Sequence, residues 1–134
     1  YGDNIEEART ILLVGDGSFQ VTAQELGTII RHDLDVIVFL INNDGYTIER
    51  SIHGLRQSYN DIAFWRYLQA PSFFGADDQV YTATARTWGD LDQILRCQPM
   101  MRGHGLRMAE ILLDREDVPP GPLLAFMNQQ KGKA

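Results

Sequence analysis

At 134 residues the chain is long enough for one hydrophobic core and short for two, and its 44% apolar and 22% charged residues are ordinary for a globular domain. A net charge of −6 with 12 scattered basic residues argues against a nucleic-acid partner, and the longest apolar run, Val36–Ile41, is far below the ~20 residues a membrane-spanning helix needs. The polar start, Tyr1–Thr10, lacks the basic flank and apolar stretch of a signal peptide, and Cys97 is the single cysteine, so a reducing, cytoplasmic setting is expected.

In chain order, Arg9–Gly15 (RTILLVG) is a short, continuously apolar run that ends in glycine, and Val36–Asn42 (VIVFLIN) is a second, rich in β-branched residues. Continuous rather than alternating apolarity predicts strands buried on both faces, as in a parallel sheet. Between them, Thr22–His32 is expected to be a helix. Thr22 and Glu25 have capping-box spacing, Leu26, Ile29 and Ile30 form one stripe, and His32 falls at the C-terminus. Further on, Asn60–Gln69 is expected as a helix that Pro71 ends, and Thr87–Cys97 as one that Thr87 caps. Leu106–Leu113 suggests another strand, and Pro119–Pro122 leads into a terminal helix, Leu123–Gln130. The fold class is α/β, a parallel sheet flanked by helices.

Two turns fall where an open α/β sheet places its ligands, past the carboxyl ends of strands. The first is Gly15-Asp16-Gly17-Ser18; the second runs Asn42-Asn43-Asp44-Gly45-Tyr46-Thr47-Ile48-Glu49. If the two strands are neighbours, these turns face each other. Asp16 offers a carboxylate, Asn43 an amide oxygen and Gly45 a backbone carbonyl that no side chain obstructs, a set of hard oxygens suited to Mg²⁺. Gly17 and Ser18 offer backbone N–H groups and a hydroxyl beside a helix start, where an anion is favoured. The composite is a Mg²⁺–diphosphate clamp. The alternative of a nucleotide-ribose contact in a dinucleotide-binding domain lacks its GxGxxG pattern.

Other candidates carry less. Cys97 is expected to be a small apolar residue on a helix. His53 and His104 stand in glycine-containing stretches without shared metal-ligand spacing, and Trp65, Trp88 and the Phe73-Phe74 pair are expected in a core or an interface.

The pair of turns resembles the signature of thiamine-diphosphate enzymes: GDG, the 24 residues Ser18–Ile41, then Asn42-Asn43. The wider text, GDGSFQVTAQELGTIIR, NNDGYTIERSIHG, Tyr59–Trp65 (YNDIAFW) and RMAEILL, resembles the pyruvate and indolepyruvate decarboxylase branch from about Arg9 to Leu113. The resemblance implies thiamine diphosphate and Mg²⁺ as cofactors, with Asp16, Asn43 and the Gly45 carbonyl on the metal. Gly17 and Ser18 would touch the diphosphate, and Asn43–Ile48, including Asp44, Tyr46 and Thr47, would wrap the cofactor. Ile48 would lie beside the thiazolium. Glu49 corresponds to the active-site glutamate that steers decarboxylation and protonates the enamine left after CO₂ departs. A carboxyl against an apolar cofactor face would be desolvated and so poised as a general acid.

The resemblance also implies what else such an enzyme needs: a pyrimidine-binding domain with an activating glutamate and an adjacent pair of histidines, in a homodimer or homotetramer. No His-His pair occurs here, and only Tyr1–Ala8 precedes the first strand. Residues 1–134 are therefore expected to be the C-terminal part of a single thiamine-diphosphate/Mg-binding domain, inactive alone. The expected reaction is pyruvate to acetaldehyde and CO₂. An indolepyruvate or phenylpyruvate decarboxylase, or a non-catalytic assembly module derived from the family, are the alternatives.

Overall fold

A computed structural model of the chain describes residues 9–54 and 56–131. Tyr1–Ala8, expected to precede the first strand, lie outside the described residues. Four strands, β1 (Thr10–Gly15), β2 (Val36–Asn42), β3 (Tyr81–Ala85) and β4 (Leu106–Leu112), form a fully parallel sheet in the order β1-β2-β4-β3. Around it lie α1 (Asp16–Thr22), α2 (Glu25–Arg31), α3 (Thr47–His53), α4 (Ala70–Phe73), α5 (Trp88–Arg96), α6 (Gln98–Arg102) and α7 (Pro122–Lys131). The α/β class follows as expected, as do β2, β4, α5 and α7.

The alternation of β2 explains the layers. Val36, Val38 and Leu40 join Phe19, Ala23, Leu26, Leu106 and Met108 in one buried cluster, against which Ile29 and Ile30 pack. Ile37 and Phe39 face the other way, into a second cluster with Ala85, Ile94, Met100 and Ala109. A strand filling two cores must be apolar at every position, as VIVFLI is. Burying each such side chain is worth about 2 kcal/mol, so β2 anchors the sheet.

β1 departs from the expectation of burial on both faces. Among the described residues it is an edge strand paired only with β2, and Ile11, Leu12 and Leu13 are exposed, Leu13 at 69%. Continuous apolarity marks a sheet strand but does not say that both faces are covered among the described residues.

Three further expectations are corrected. The predicted Thr22–His32 helix is two short helices, the first beginning at Asp16. No Thr22–Glu25 capping box forms, because Thr22 is already the last residue of α1 and its hydroxyl donates to the Ser18 carbonyl at 3.2 Å. The predicted Asn60–Gln69 helix is two single 3₁₀ turns, Ser58–Asn60 and Tyr67–Gln69, around irregular backbone. Pro71 does not end a helix but occupies the first turn of α4, where its missing N–H costs nothing. Finally, β3 (YTATA) carried no recognisable apolar run and was not expected. Where the local signals were unambiguous they held: Thr87 accepts from the Asp90 N–H at 3.1 Å while Asp90 accepts from the Thr87 N–H at 2.9 Å, a complete capping box on α5.

Candidate active site

Because β1 and β2 are parallel neighbours in register from Thr10–Val36 to Gly15–Ile41, their carboxyl ends deliver both turns to one place. A cleft of about 250 Å³ is lined there by Gly15, Asp16, Gly17, Ser18, Asn43, Gly45, Tyr46, Thr47, Ile48 and Glu49. It brings together every predicted site residue except Asp44, whose carboxylate turns away to pair with Arg115. A larger cleft of about 550 Å³ lies elsewhere, against Phe64, Trp65, Tyr67 and Phe73, but it holds none of the predicted residues.

Asp16 is the centre of the arrangement. It opens α1, is 1% exposed, and accepts from two backbone amides, Gly17 N–H on Oδ1 at 2.7 Å and Gly45 N–H on Oδ2 at 3.0 Å. The second bond joins the two turns directly. A carboxylate has about four acceptor positions, so two peptide donors leave capacity for a cation. Asn43 donates its amide N–H to Thr47 Oγ1 at 2.8 Å, and Thr47 Oγ1 donates onward to the Arg115 carbonyl at 2.9 Å. With the amide nitrogen so engaged, Asn43 Oδ1 is the end available to a metal.

Asp44 and Gly45 both adopt positive φ, 58° and 117°, which turns the chain sharply between β2 and α3. Glycine at 45 is required twice over. Its φ is unfavourable for other residues, and a Cβ there would stand 2.5 Å from the Asn60 carbonyl oxygen. Gly17 is less constrained: its φ is not in the left-handed region, and a Cβ would meet only the Tyr46 ring, at 2.4 Å, which lies against the GDG backbone. The Gly17 N–H, expected for the diphosphate, is here given to Asp16, whereas Ser18 is exposed.

A cation at this place would meet one carboxylate, one amide oxygen and one peptide carbonyl. That differs from a site built of three or more His, Cys, Asp or Glu side chains, of which none occurs among the described residues. The oxygen set is the kind Mg²⁺ accepts when water and phosphate complete its shell, so the residues present fit the ion.

On α3, Ile48 is 60% exposed, an apolar side chain open to the cleft. Glu49 is half exposed and lies 3.3 Å from His53 Nε2 one helical turn on. His53 is therefore a helical residue rather than part of a loop, and the i,i+4 spacing in the sequence was the signal that could have found this pair. His104 lies across the molecule, near Asp33. His32 caps α2 at its C-terminus, as expected.

Cys97 sits at the junction of α5 and α6 and donates through Sγ to the Tyr81 hydroxyl at 3.1 Å. Burial, together with that thiol, pushes the Tyr81 hydroxyl up to about 12. Phe73 and Trp88 are exposed rather than in the core, while Phe74 packs at the core margin. Leu123, Leu124 and Phe126 of α7 are not among the described residues lining the cleft; Met127 is the side chain that α7 buries. No helix among the described residues is long and apolar enough to cross a membrane.

Sequence reasoning missed the supports of the second turn. Asn60 accepts the Tyr46 N–H at 3.1 Å, and Arg50 donates to the Asp44 carbonyl at 2.6 Å and to Asp61 at 2.8 Å. Arg115 reaches Asp44 and, at 3.4 Å, Asp61.

Comparison with known proteins bears on the same segments. The model of the thiamine pyrophosphate enzyme C-terminal TPP binding domain matches residues 4–95. A pyruvate decarboxylase of Aspergillus parasiticus is 55% identical over 131 residues, covering 95% of this chain and 22% of its own length. An alpha-keto-acid decarboxylase of Mycobacterium tuberculosis is 41% identical over 126 residues, covering 92% of this chain and 22% of its own. The chain thus spans about a fifth of the length of these relatives. Among solved structures, the thiamine diphosphate-dependent 4-hydroxybenzoylformate decarboxylase of Rhodococcus jostii superposes with a TM-score of 0.69 at 15% identity, over 84% of this chain and 21% of that one, which shows the shared fold. With most of its length matched by that model and its strands arranged as the fold requires, the chain belongs to the family of C-terminal thiamine-pyrophosphate-binding domains of thiamine pyrophosphate enzymes.

Proposed function

We propose that this chain supplies the metal- and diphosphate-gripping part of a thiamine-diphosphate-dependent 2-oxo-acid decarboxylase whose substrate is pyruvate. The observation that carries the reading is the buried Asp16 carboxylate, which joins the two turns through the Gly45 N–H and has acceptor capacity to spare. The names of the relatives support the chemistry, a pyruvate decarboxylase and an alpha-keto-acid decarboxylase.

In this reading Asp16, Asn43 Oδ1 and the Gly45 carbonyl hold Mg²⁺. Gly17 and Ser18 meet the diphosphate, Tyr46 and Thr47 shape the wall around it, and Asp44 makes the turn that presents Gly45. Bound thiamine diphosphate supplies the electron sink that lets CO₂ leave a 2-oxo acid. The chain's own part is to grip the anionic end through the metal, to present apolar Ile48 to the reacting end, and to place the Glu49 carboxyl as a proton donor. The His53 imidazole, 3.3 Å from Glu49 Oε2, orients that carboxyl.

The rest of the catalytic unit, a pyrimidine-binding domain and a dimeric or tetrameric assembly, belongs to the whole enzyme. Residues 1–134 are one part of a single cofactor-binding domain and do not turn over pyruvate by themselves.

Calorimetric titration of the chain with thiamine diphosphate tests the reading. Binding is expected only with Mg²⁺ present, and Asp16→Ala or Asn43→Ala should abolish it; binding indifferent to both substitutions would support a purely structural module instead. Acetaldehyde formed from pyruvate by the purified chain would contradict the assignment of catalysis to the larger enzyme.

A further inference from the structure

We propose that Arg50 is a positioning residue for the metal turn, holding Asp44 and Gly45 in their left-handed conformation from outside the cleft. The inference rests on the reading of the two turns as a Mg²⁺–diphosphate clamp.

Arg50 is on α3, and its side chain is 2% exposed. A single terminal nitrogen, Nη2, donates to the Asp44 carbonyl at 2.6 Å and to Asp61 Oδ1 at 2.8 Å. The same nitrogen stands 2.6 Å from where a Gly45 Cβ would be, so the guanidinium lies directly on the glycine. Asp44 and Gly45 are the two residues whose positive φ makes the turn, and of the two it is Asp44, which is not glycine, that stands in a sparsely populated region. Arg50 therefore touches the strained peptide on its outer side while Asp16 takes the Gly45 N–H on its inner side.

The remaining nitrogens say why this is more than packing. Arg50 Nε and Nη1 are buried and have no hydrogen-bond partner among the described residues. A buried guanidinium with unused donors is a poor choice for stability, because an apolar side chain of similar volume avoids the desolvation. What an apolar side chain cannot do is bridge a turn carbonyl to a carboxylate. Arg115 completes the clasp from the neighbouring strand: it follows β4, pairs with Asp44, and offers its carbonyl to Thr47 Oγ1. The metal turn is thus tied to the 58–61 segment and to the exit of β4, and Arg50, Asp61 and Arg115 themselves do not line the cleft.

The test compares Arg50→Met, Arg50→Lys and Asp61→Asn in the 134-residue chain, using two readouts. The first is amide hydrogen exchange at Gly45 and Tyr46 without ligand; the second is Mg²⁺-dependent affinity for thiamine diphosphate. Arg50→Met is expected to speed exchange at both amides and weaken the affinity by about tenfold, as loss of a group supporting a metal ligand does. Exchange at Val38 and Met108, in the sheet, should not change. Arg50→Lys, which keeps a donor for both acceptors, should recover part of both effects, and Asp61→Asn should move both in the same direction by less. Unchanged exchange and affinity in Arg50→Met, or equal acceleration at Val38 and Met108, would overturn the proposal. Asp16→Ala separates the two levels. If it leaves the affinity intact, the clamp reading fails and this inference with it; if it abolishes the affinity while Arg50→Met is silent, only this inference fails.

Discussion

Two buried arginines occupy opposite ends of one sheet and make nearly the same contacts. At the carboxyl end Arg50 bridges the Asp44 carbonyl and the Asp61 carboxylate; at the amino end Arg107 bridges the Gly103 carbonyl and the Asp35 carboxylate. Each leaves buried nitrogen without a partner among the described residues. The difference is what the bridged backbone does. Gly103 leads into β4 at an ordinary φ of −64°, so Arg107 pins the start of two neighbouring strands and nothing more. Asp44 and Gly45 form a strained turn that faces Asp16, so the same device at Arg50 governs the shape of the candidate site. Like contacts carry unlike consequences because one end of a parallel sheet ends in strands and the other in ligand-binding turns.

Matched glycine substitutions sharpen that contrast most. Gly45→Ala forces a Cβ against the Asn60 carbonyl at a positive φ and is expected to cost about 3 kcal/mol in urea unfolding, with loss of metal-dependent cofactor affinity. Gly103→Ala also meets backbone, the Pro99 carbonyl at 2.2 Å, and should cost about 2 kcal/mol while the affinity survives in the folded fraction. Weakened affinity in Gly103→Ala would mean that the two ends are not separable.

Arg107→Met comes next. Removing the buried guanidinium leaves Asp35 and the Gly103 carbonyl unpaired, but Asp35 keeps partial access to water, so a loss of about 2 kcal/mol is expected. Its cofactor titration should match the parent, in contrast to Arg50→Met; equal losses of affinity in the two variants would break the comparison.

The smallest effect is a titration. The hydrogen bond from Arg50 holds the Asp61 carboxyl below its ordinary value of 3.8, with Arg115 adding to the same direction. A carboxyl depressed in the folded state stabilises above its unfolded value and loses that contribution as pH falls through the folded one. The clasp should therefore be intact at neutral pH and loosen only in acid, below about pH 4. NMR titration of the Asp61 carboxyl should give a midpoint under 3.8 that moves back up in Arg50→Met.

Much of this was legible in the sequence where the signal is local. VIVFLI is apolar at every position because β2 serves two cores, and Thr87 with Asp90 forms a cap within a single turn. The two site turns were legible because the residues that shape them sit within a few positions of Asp16 and Gly45. Burial of β1 was not, since RTILLVG states a hydrophobic strand without stating what covers it. The Thr22–Glu25 pair had the spacing of a cap but lies where α1 has already run its course. β3 has no apolar run, and its place is set by pairing with β4. The supports of the metal turn were hidden for the same reason. Asn60, Asp61 and Arg115 are brought to Asp44 and Tyr46 by the fold alone, across as many as 71 positions of chain.

In the proposed function two turns from neighbouring strands grip one Mg²⁺ ion and its diphosphate. A double-mutant cycle on Asp16→Ala and Asn43→Ala, read as Mg²⁺-dependent affinity for thiamine diphosphate, tests it most directly. If both turns hold the same ion, each single variant removes most of the metal-dependent affinity and the double variant loses no more than the worse single one. Losses that multiply, as for two independent sites, or an affinity that neither substitution changes, would contradict the account.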